Sequence, residues 1–149
     1  MILPECIIRE QEAANVKTSS TRLVELAQHS IELARLVANN PNAPAEVLKE
    51  LGMSADVATR HLVATNPNTP RETLIELLNE FPKAVLSNPR FPVLCSESSQ
   101  LLHQIPLSTL RLIVRLNIAP KSLLQWVENH ADPELLATLK PSFATHQPL

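Results

Sequence analysis

The chain has 149 residues, of which 44% are apolar and only 3% aromatic, with a formal net charge of −2. That length suffices for one sizeable hydrophobic core and is too short for two ordinary domains. The charge gives no basic excess of the kind that draws a whole chain to nucleic acid, and the single glycine, Gly52, excludes a glycine-rich phosphate loop. The scarcity of aromatic residues predicts a core of aliphatic side chains packed between short helices.

Cysteines and motifs indicate the compartment and argue against catalysis. Cys6 and Cys95 are isolated, which is typical of reduced thiols in a cytoplasmic protein. The start of the chain lacks the features of a signal peptide, and no apolar stretch approaches the roughly 18–20 residues of a membrane helix. The histidines do not cluster at metal-ligand spacing, and no nucleophile motif or carboxylate pair is present. We expect a cytoplasmic protein that is not an enzyme and has no metal or cofactor.

A repeated turn organises the chain. A weak first copy begins at Asn15, two strong copies (Asn-Pro-Asn-Ala-Pro over 40–44 and Asn-Pro-Asn-Thr-Pro over 66–70) lie 26 residues apart, and a fainter copy occupies 88–92. Each strong copy follows an apolar helical pattern, which we name helix A, and precedes leucines at helical spacing, which we name helix B. Self-similarity at a fixed period of about 20–50 residues predicts a solenoid.

The turn residues predict where each helix ends and begins. Because proline disfavours the α conformation in the residue before it, helix A should end at Asn40 and Asn66, and asparagine also tolerates left-handed backbone. Helix B should begin at the second proline. The run Thr69-Pro70-Arg71-Glu72 predicts a capping box in which the threonine is the N-cap.

The pattern continues towards the C-terminus more weakly. Residues 117–120 precede further leucines, and residues 132–141 predict one more helix A. We therefore expect an all-α solenoid of about five short helical repeats without β-sheet. It should form a single domain over residues 1–141, with a flexible tail over 142–149.

Helix A followed by Asn-Pro-Asn-(Thr/Ala)-Pro and Glu-x-Leu-x-x-Leu resembles the variant leucine-rich repeat, or LRV. The resemblance is best over residues 31–78 and covers 15–140 more weakly; a HEAT-like solenoid, with units of about 40 residues, is the nearest alternative. It implies a right-handed superhelix of alternating α and 3₁₀ helices that serves binding or scaffolding. One member of the family carries an iron–sulfur cluster on N-terminal cysteines. Since only Cys6 lies there and four thiolates are normally needed, the resemblance implies no cofactor here.

Aligning the copies of helix A places four basic residues in one column, five residues before Asn40, Asn66, Asn88 and the equivalent Leu116. The column consists of Arg35, His61, Lys83 and Arg111. In a solenoid a column becomes a stripe, so this one predicts a groove for an acidic protein segment or a nucleic-acid backbone. The alternative is that cations near helix C-termini only complement the helix macrodipole.

Two further positions stand out. The asparagines of the turn are predicted to form a ladder that bonds the turns of successive repeats, because buried amides must find partners. Trp126 is the only tryptophan and falls where earlier copies of helix B carry Glu50 and Glu76. It is either an exposed interface anchor or covered by the C-terminal tail near Phe143.

The function best supported by the sequence is a protein–protein interaction scaffold that is a monomer or weak dimer. Nucleic-acid binding along the basic column is a second hypothesis. An enzyme related to helical-repeat DNA glycosylases, using Trp126 and Asp132, is a third.

Overall fold

The computed structural model describes residues 4–97, 104–116, 118–119, 121–130, 133–134 and 137. Ten helices with defined bounds lie in these residues, which contain no β-strand: α1 Glu5–Ala14, α2 Ser20–Ala27, α3 Ile31–Asn39, α4 Ala45–Leu51, α5 Val57–Thr65, α6 Arg71–Leu78, α7 Pro82–Leu86, α8 Arg90–Glu97, α9 Leu107–Arg115 and α10 Lys121–His130. The predicted all-α fold is confirmed. The resemblance also implied 3₁₀ helices, and none is seen in the described ranges. The helix B segments α4 and α6 are α-helices of seven and eight residues, which is longer than 3₁₀ turns usually are.

The chain divides into two compact units, residues 1–77 and 78–149. In the first unit, α3 is a helix A that packs against the neighbouring copies α1 and α5, with α2 and α4 as the intervening helices B. The core is aliphatic as predicted, and its fully buried side chains include Leu23, Leu26, Val37, Leu48, Val63 and Leu74.

In the second unit, α8 packs against α10. Its buried side chains include Val85, Phe91, Leu94, Leu110, Ile113 and Leu123. Of the helix predicted over 132–141, residues 133, 134 and 137 are helical and the rest lie outside the described residues, as does the predicted tail. The single domain over 1–141 and the right-handed sense of the superhelix stay predictions.

The predicted asparagine ladder is present in the first unit. The buried Asn40 side-chain amide donates to Ala13 O at 2.8 Å and Asn15 O at 3.0 Å. One repeat later, the Asn66 amide donates to Ala38 O at 2.7 Å and Asn40 O at 2.9 Å. Each asparagine therefore bonds the end of the preceding helix A and the preceding turn, so the C-termini of α1, α3 and α5 are held in register.

The same asparagines also shape their own turns. The Oδ1 atoms of Asn40, Asn66 and Asn88 each accept from the backbone N–H two residues on, all at 2.9 Å. Asn15 does the same with Lys17 N at 3.0 Å, which confirms that a copy of the turn begins there although no proline follows it. These are Asx turns, in which a side-chain oxygen replaces a backbone acceptor.

Helix A ends in extended backbone, so the expected use of left-handed asparagine is wrong. The C-cap residues Asn15, Asn40 and Asn66 have φ between −74° and −79° and ψ between 121° and 130°. A following proline favours this conformation for Asn40 and Asn66. The extended backbone lets each amide reach across to the previous repeat.

Helix B begins one residue later than predicted. Pro44 occupies the N-cap of α4, and α6 begins at Arg71, so the predicted capping box is not formed. The Thr69 hydroxyl instead donates backwards to Val63 O at 2.5 Å, and the Thr18 hydroxyl donates to Glu12 O at the same distance. The threonine thus adds a second donor to a carbonyl in the last turn of helix A, which also accepts from the backbone N–H of the asparagine that ends the helix.

The third copy of the turn departs further from the prediction. Helix α8 begins at Arg90, before Pro92 rather than at it. Proline is tolerated in the first helical turn, where backbone N–H groups have no partner within the helix. The local sequence is therefore compatible with a helix that begins at Arg90 and with one that begins at Pro92.

Removing one rung of the ladder should destabilise the protein. Asn66→Ala deletes two donated bonds and the acceptor for Asn68 N, so we expect a loss of about 2–4 kcal/mol in the free energy of unfolding. Urea unfolding measures it. Asn39→Ala, at an exposed position in α3, is the control and should change stability by less than about 0.5 kcal/mol. Equal effects of the two substitutions would contradict the ladder.

Ala43 occupies the position of Thr18 and Thr69 and lacks their hydroxyl. Its turn keeps the equivalent carbonyl, Val37 O, which accepts from Asn40 N at 3.0 Å. Ala43→Thr should therefore form the missing bond, whereas Ala43→Val has the same shape without a donor. We expect the threonine variant to be more stable than the valine variant by about 1 kcal/mol in thermal and urea unfolding. A valine variant of equal or greater stability would refute the assignment.

Candidate functional surface

The four residues of the predicted basic column are all exposed. In the first unit, Arg35 on α3 and His61 on α5 occupy equivalent positions on two helices that pack together. In the second unit, Lys83 lies on α7 and Arg111 on α9. The first repeat departs from the pattern, since its equivalent residue is Glu10, which is exposed on α1. Across the three stacked helices of the first unit, the column is therefore mixed in charge.

Arg35 is engaged by a carboxylate of the next repeat. Its Nε donates to Asp56 Oδ2 at 2.9 Å and its Nη2 donates to Asp56 Oδ1 at 2.8 Å. Asp56 is also the N-cap of α5 and accepts from Thr59 N at 3.0 Å and Thr59 Oγ1 at 2.6 Å. We name the Arg35–Asp56 pair the inter-repeat clamp. It joins the middle of α3 to the start of α5. The Asp56 carboxylate also offsets the positive charge of Arg35, which the sequence analysis had predicted to face a binding partner.

The clamp shifts the pKa of both of its ionisable groups. Hydrogen bonds from Arg35 and then Thr59 hold the pKa of the Asp56 carboxyl far below its ordinary value of 3.8. The Asp56 carboxylate raises the pKa of Arg35 in turn. Sequence reasoning did not single out Asp56, because a pair 21 residues apart is visible only once the stacking register is known.

Apolar side chains form a second column that sequence reasoning missed. Cys6, Ile31 and Val57 each lie nine residues before the asparagine of their repeat, and all three are exposed, Ile31 by 55% and Val57 by 56%. They belong to α1, α3 and α5, of which α3 packs against both others. We name Cys6, Ile31 and Val57 the outer stripe. Alignment on the asparagines could have found it, since the column is apolar in all three copies.

A cleft of about 330 Å³ adjoins the outer stripe. Its lining includes Cys6 and Glu10 from α1, His29 before α3, and Glu32 and Leu33 from α3. Arg9 also lines it, but its guanidinium is bonded to the Glu5 carboxylate on the same helix. The cleft therefore joins an apolar edge to two exposed carboxylates.

The second unit has its own cleft and a buried thiol. The cleft, of about 350 Å³, is lined by Lys83, Leu86, Ser87 and Ile118. Burial raises the pKa of the Cys95 thiol to about 11, which keeps it in the unreactive neutral form.

Trp126 lies on α10, but its side chain is outside the described residues, and so is Asp132. Neither the interface role nor the covered position of Trp126 is tested. No helix in the described ranges is long and apolar enough to cross a membrane, and these ranges hold no group of three metal-binding side chains.

The inter-repeat clamp predicts a specific dependence of stability on pH. Because folding lowers the pKa of Asp56, its contribution is fully present above about pH 4 and is lost as the pH falls towards the folded-state pKa. Asp56→Asn should lower the melting temperature by a few degrees at neutral pH, and the gap to the parent should shrink between about pH 4 and pH 2. Glu50→Gln, at an exposed carboxylate on α4, is the control. A gap that does not change with pH would contradict the clamp.

Comparison with known proteins supports the resemblance drawn from the turns. Residues 9–64 match the family model of the Leucine Rich Repeat Variant domain. That range runs from α1 to α5 and so contains the clamp and most of the outer stripe. No curated protein and no solved structure matches the chain. Over residues 9–64 the chain is therefore similar to the leucine-rich repeat variant family.

Proposed function

We propose that this protein is a non-catalytic scaffold that binds another protein through the outer stripe. The observation that carries the proposal is the exposure of apolar side chains at equivalent positions on packed helices. Single exposed apolar residues are ordinary on protein surfaces. An apolar column that continues from helix to helix forms a patch, and exposed apolar patches mark interaction sites.

The packing around the stripe favours recognition of a macromolecule. The asparagine ladder fixes one end of the helices, and the inter-repeat clamp fixes α3 against the start of α5. A surface held in this way loses little conformational freedom on binding, so more of the contact energy is available for affinity. Half-exposed aliphatic groups such as Ile31 and Val57 can then act as anchors for a partner.

The nucleic-acid alternative has less support. Binding to a phosphate backbone requires several cations that are able to replace counterions. Arg35 already pairs with Asp56, and the equivalent position in α1 is Glu10. The enzyme alternative depends on Trp126 and Asp132, for which the described residues supply no side-chain geometry.

Affinity capture with charged substitutions tests the proposal. Tagged parent protein and the variants Ile31→Asp and Val57→Asp are compared in lysate of the cells that naturally make the protein, with bound proteins quantified by mass spectrometry. We expect a partner whose recovery falls at least tenfold with either variant, since a buried unpaired carboxylate opposes binding. Val16→Asp is the matched control, because Val16 is 55% exposed and lies in the first turn, away from the stripe.

Circular dichroism confirms that each variant is folded. Recovery of the same proteins by the parent and both stripe variants would refute the proposal. Recovery of nucleic acid that is lost at moderate salt would favour the alternative.

A further inference from the structure

The spacing of the outer stripe limits what can lie on it. Its three members sit on helices that pack side by side, and packed helices have axes about 8–10 Å apart. The stripe therefore presents an apolar group roughly every 8–10 Å across three helices. A partner segment must offer apolar side chains on one face at that interval.

The seven-residue repeat of a helix lies closer to this interval than the two-residue repeat of an extended strand. Residues seven apart on a helix lie on one face and are separated by about 10.5 Å along the axis, at about 1.5 Å per residue. Residues on one face of a strand recur about every 6.6 Å, at about 3.3 Å per residue. The helix repeat exceeds the interval by only about 0.5 Å, whereas the strand repeat falls short of it by about 1.4 Å, so the spacing favours a helix of about 15 residues or more.

Charge along the stripe orients such a helix. The cleft between α1 and α3 is lined by Glu10 from α1 and Glu32 from α3, while Arg9 in the same cleft is engaged by Glu5. At the α5 end, Asp56, which precedes Val57 in the chain, is held by Arg35 and by the cap of α5. The part of the stripe formed by α1 and α3 therefore favours a cationic partner group, whereas the carboxylate of Asp56 is already paired.

We infer that the outer stripe binds a basic amphipathic helix. Resting on the function proposed above, this inference specifies the partner segment. The helix places apolar residues seven apart over Cys6, Ile31 and Val57. Its lysine or arginine residues lie at one end, over the cleft that holds Glu10 and Glu32. This is the helix-on-surface mode of peptide recognition, with acidic residues selecting the basic sequence.

Peptide selection on the full chain tests this inference. The probe is a displayed library of random peptides of about 20 residues, selected on the parent protein. We expect enriched sequences with apolar residues seven apart and an excess of lysine or arginine at one end. Synthetic copies should become helical on binding, as measured by circular dichroism, and should bind more weakly as salt increases.

Matched variants locate the bound peptide. Ile31→Asp and Val57→Asp should each weaken binding at least tenfold, and Val16→Asp should leave it unchanged. The double variant Glu10→Lys with Glu32→Lys should weaken basic peptides at least tenfold. Glu50→Lys, at an exposed carboxylate on α4 outside the cleft, is the control for charge reversal and should have little effect.

The outcomes separate the inference from the proposed function. Peptides that depend on Ile31 and Val57 but lack the seven-residue spacing or the basic end would overturn the inference alone. Peptides insensitive to both stripe variants would overturn the inference and the proposed function. The inference also fails if no peptide is enriched. It fails equally if sedimentation velocity shows a dimer of the parent that Ile31→Asp dissociates, because a second copy would then cover the stripe.

Discussion

The buried amide of the turn asparagine is the interaction on which the first unit depends. The last carbonyls of an α-helix have no partner within that helix, and leaving them buried without one is costly. Asn40 and Asn66 solve this problem for the preceding repeat by donating into its helix end and its turn. The same bonds set the register in which α1, α3 and α5 stack, so a local need for hydrogen bonds becomes a constraint on tertiary structure.

The register in turn creates the surface. With the helix C-termini aligned, side chains at the same distance from the asparagine fall on neighbouring helices. One such column gives the outer stripe, and another brings Arg35 to the carboxylate that caps α5. The cation that suggested a basic groove thus serves the packing of repeats. The apolar groups that face solvent beside it are the surface on which the proposed binding function rests.

The regularity of the chain ends beyond the second strong turn. The spacing of the asparagines falls from 26 to 22 residues, and Arg90 stands where Asn42 and Asn68 stood. Those two asparagines donate to the preceding turn, at Thr18 O for Asn42 and at Pro41 O for Asn68, whereas Arg90 opens α8. Loss of the amide at this position thus accompanies the loss of repeat character.

The helical class, the period, the ends of helix A and the asparagine ladder could all be predicted from the sequence, because proline and asparagine act through local backbone chemistry. The sequence did not determine that Thr69 bonds backwards to Val63 O, that Pro92 lies inside a helix, or that Arg35 meets Asp56. For Thr69 and Pro92, the local sequence is compatible with two arrangements. Arg35 and Asp56 are far apart in the chain, so no local signal pairs them. Only the stacked structure, in which register decides which groups meet, could select these arrangements.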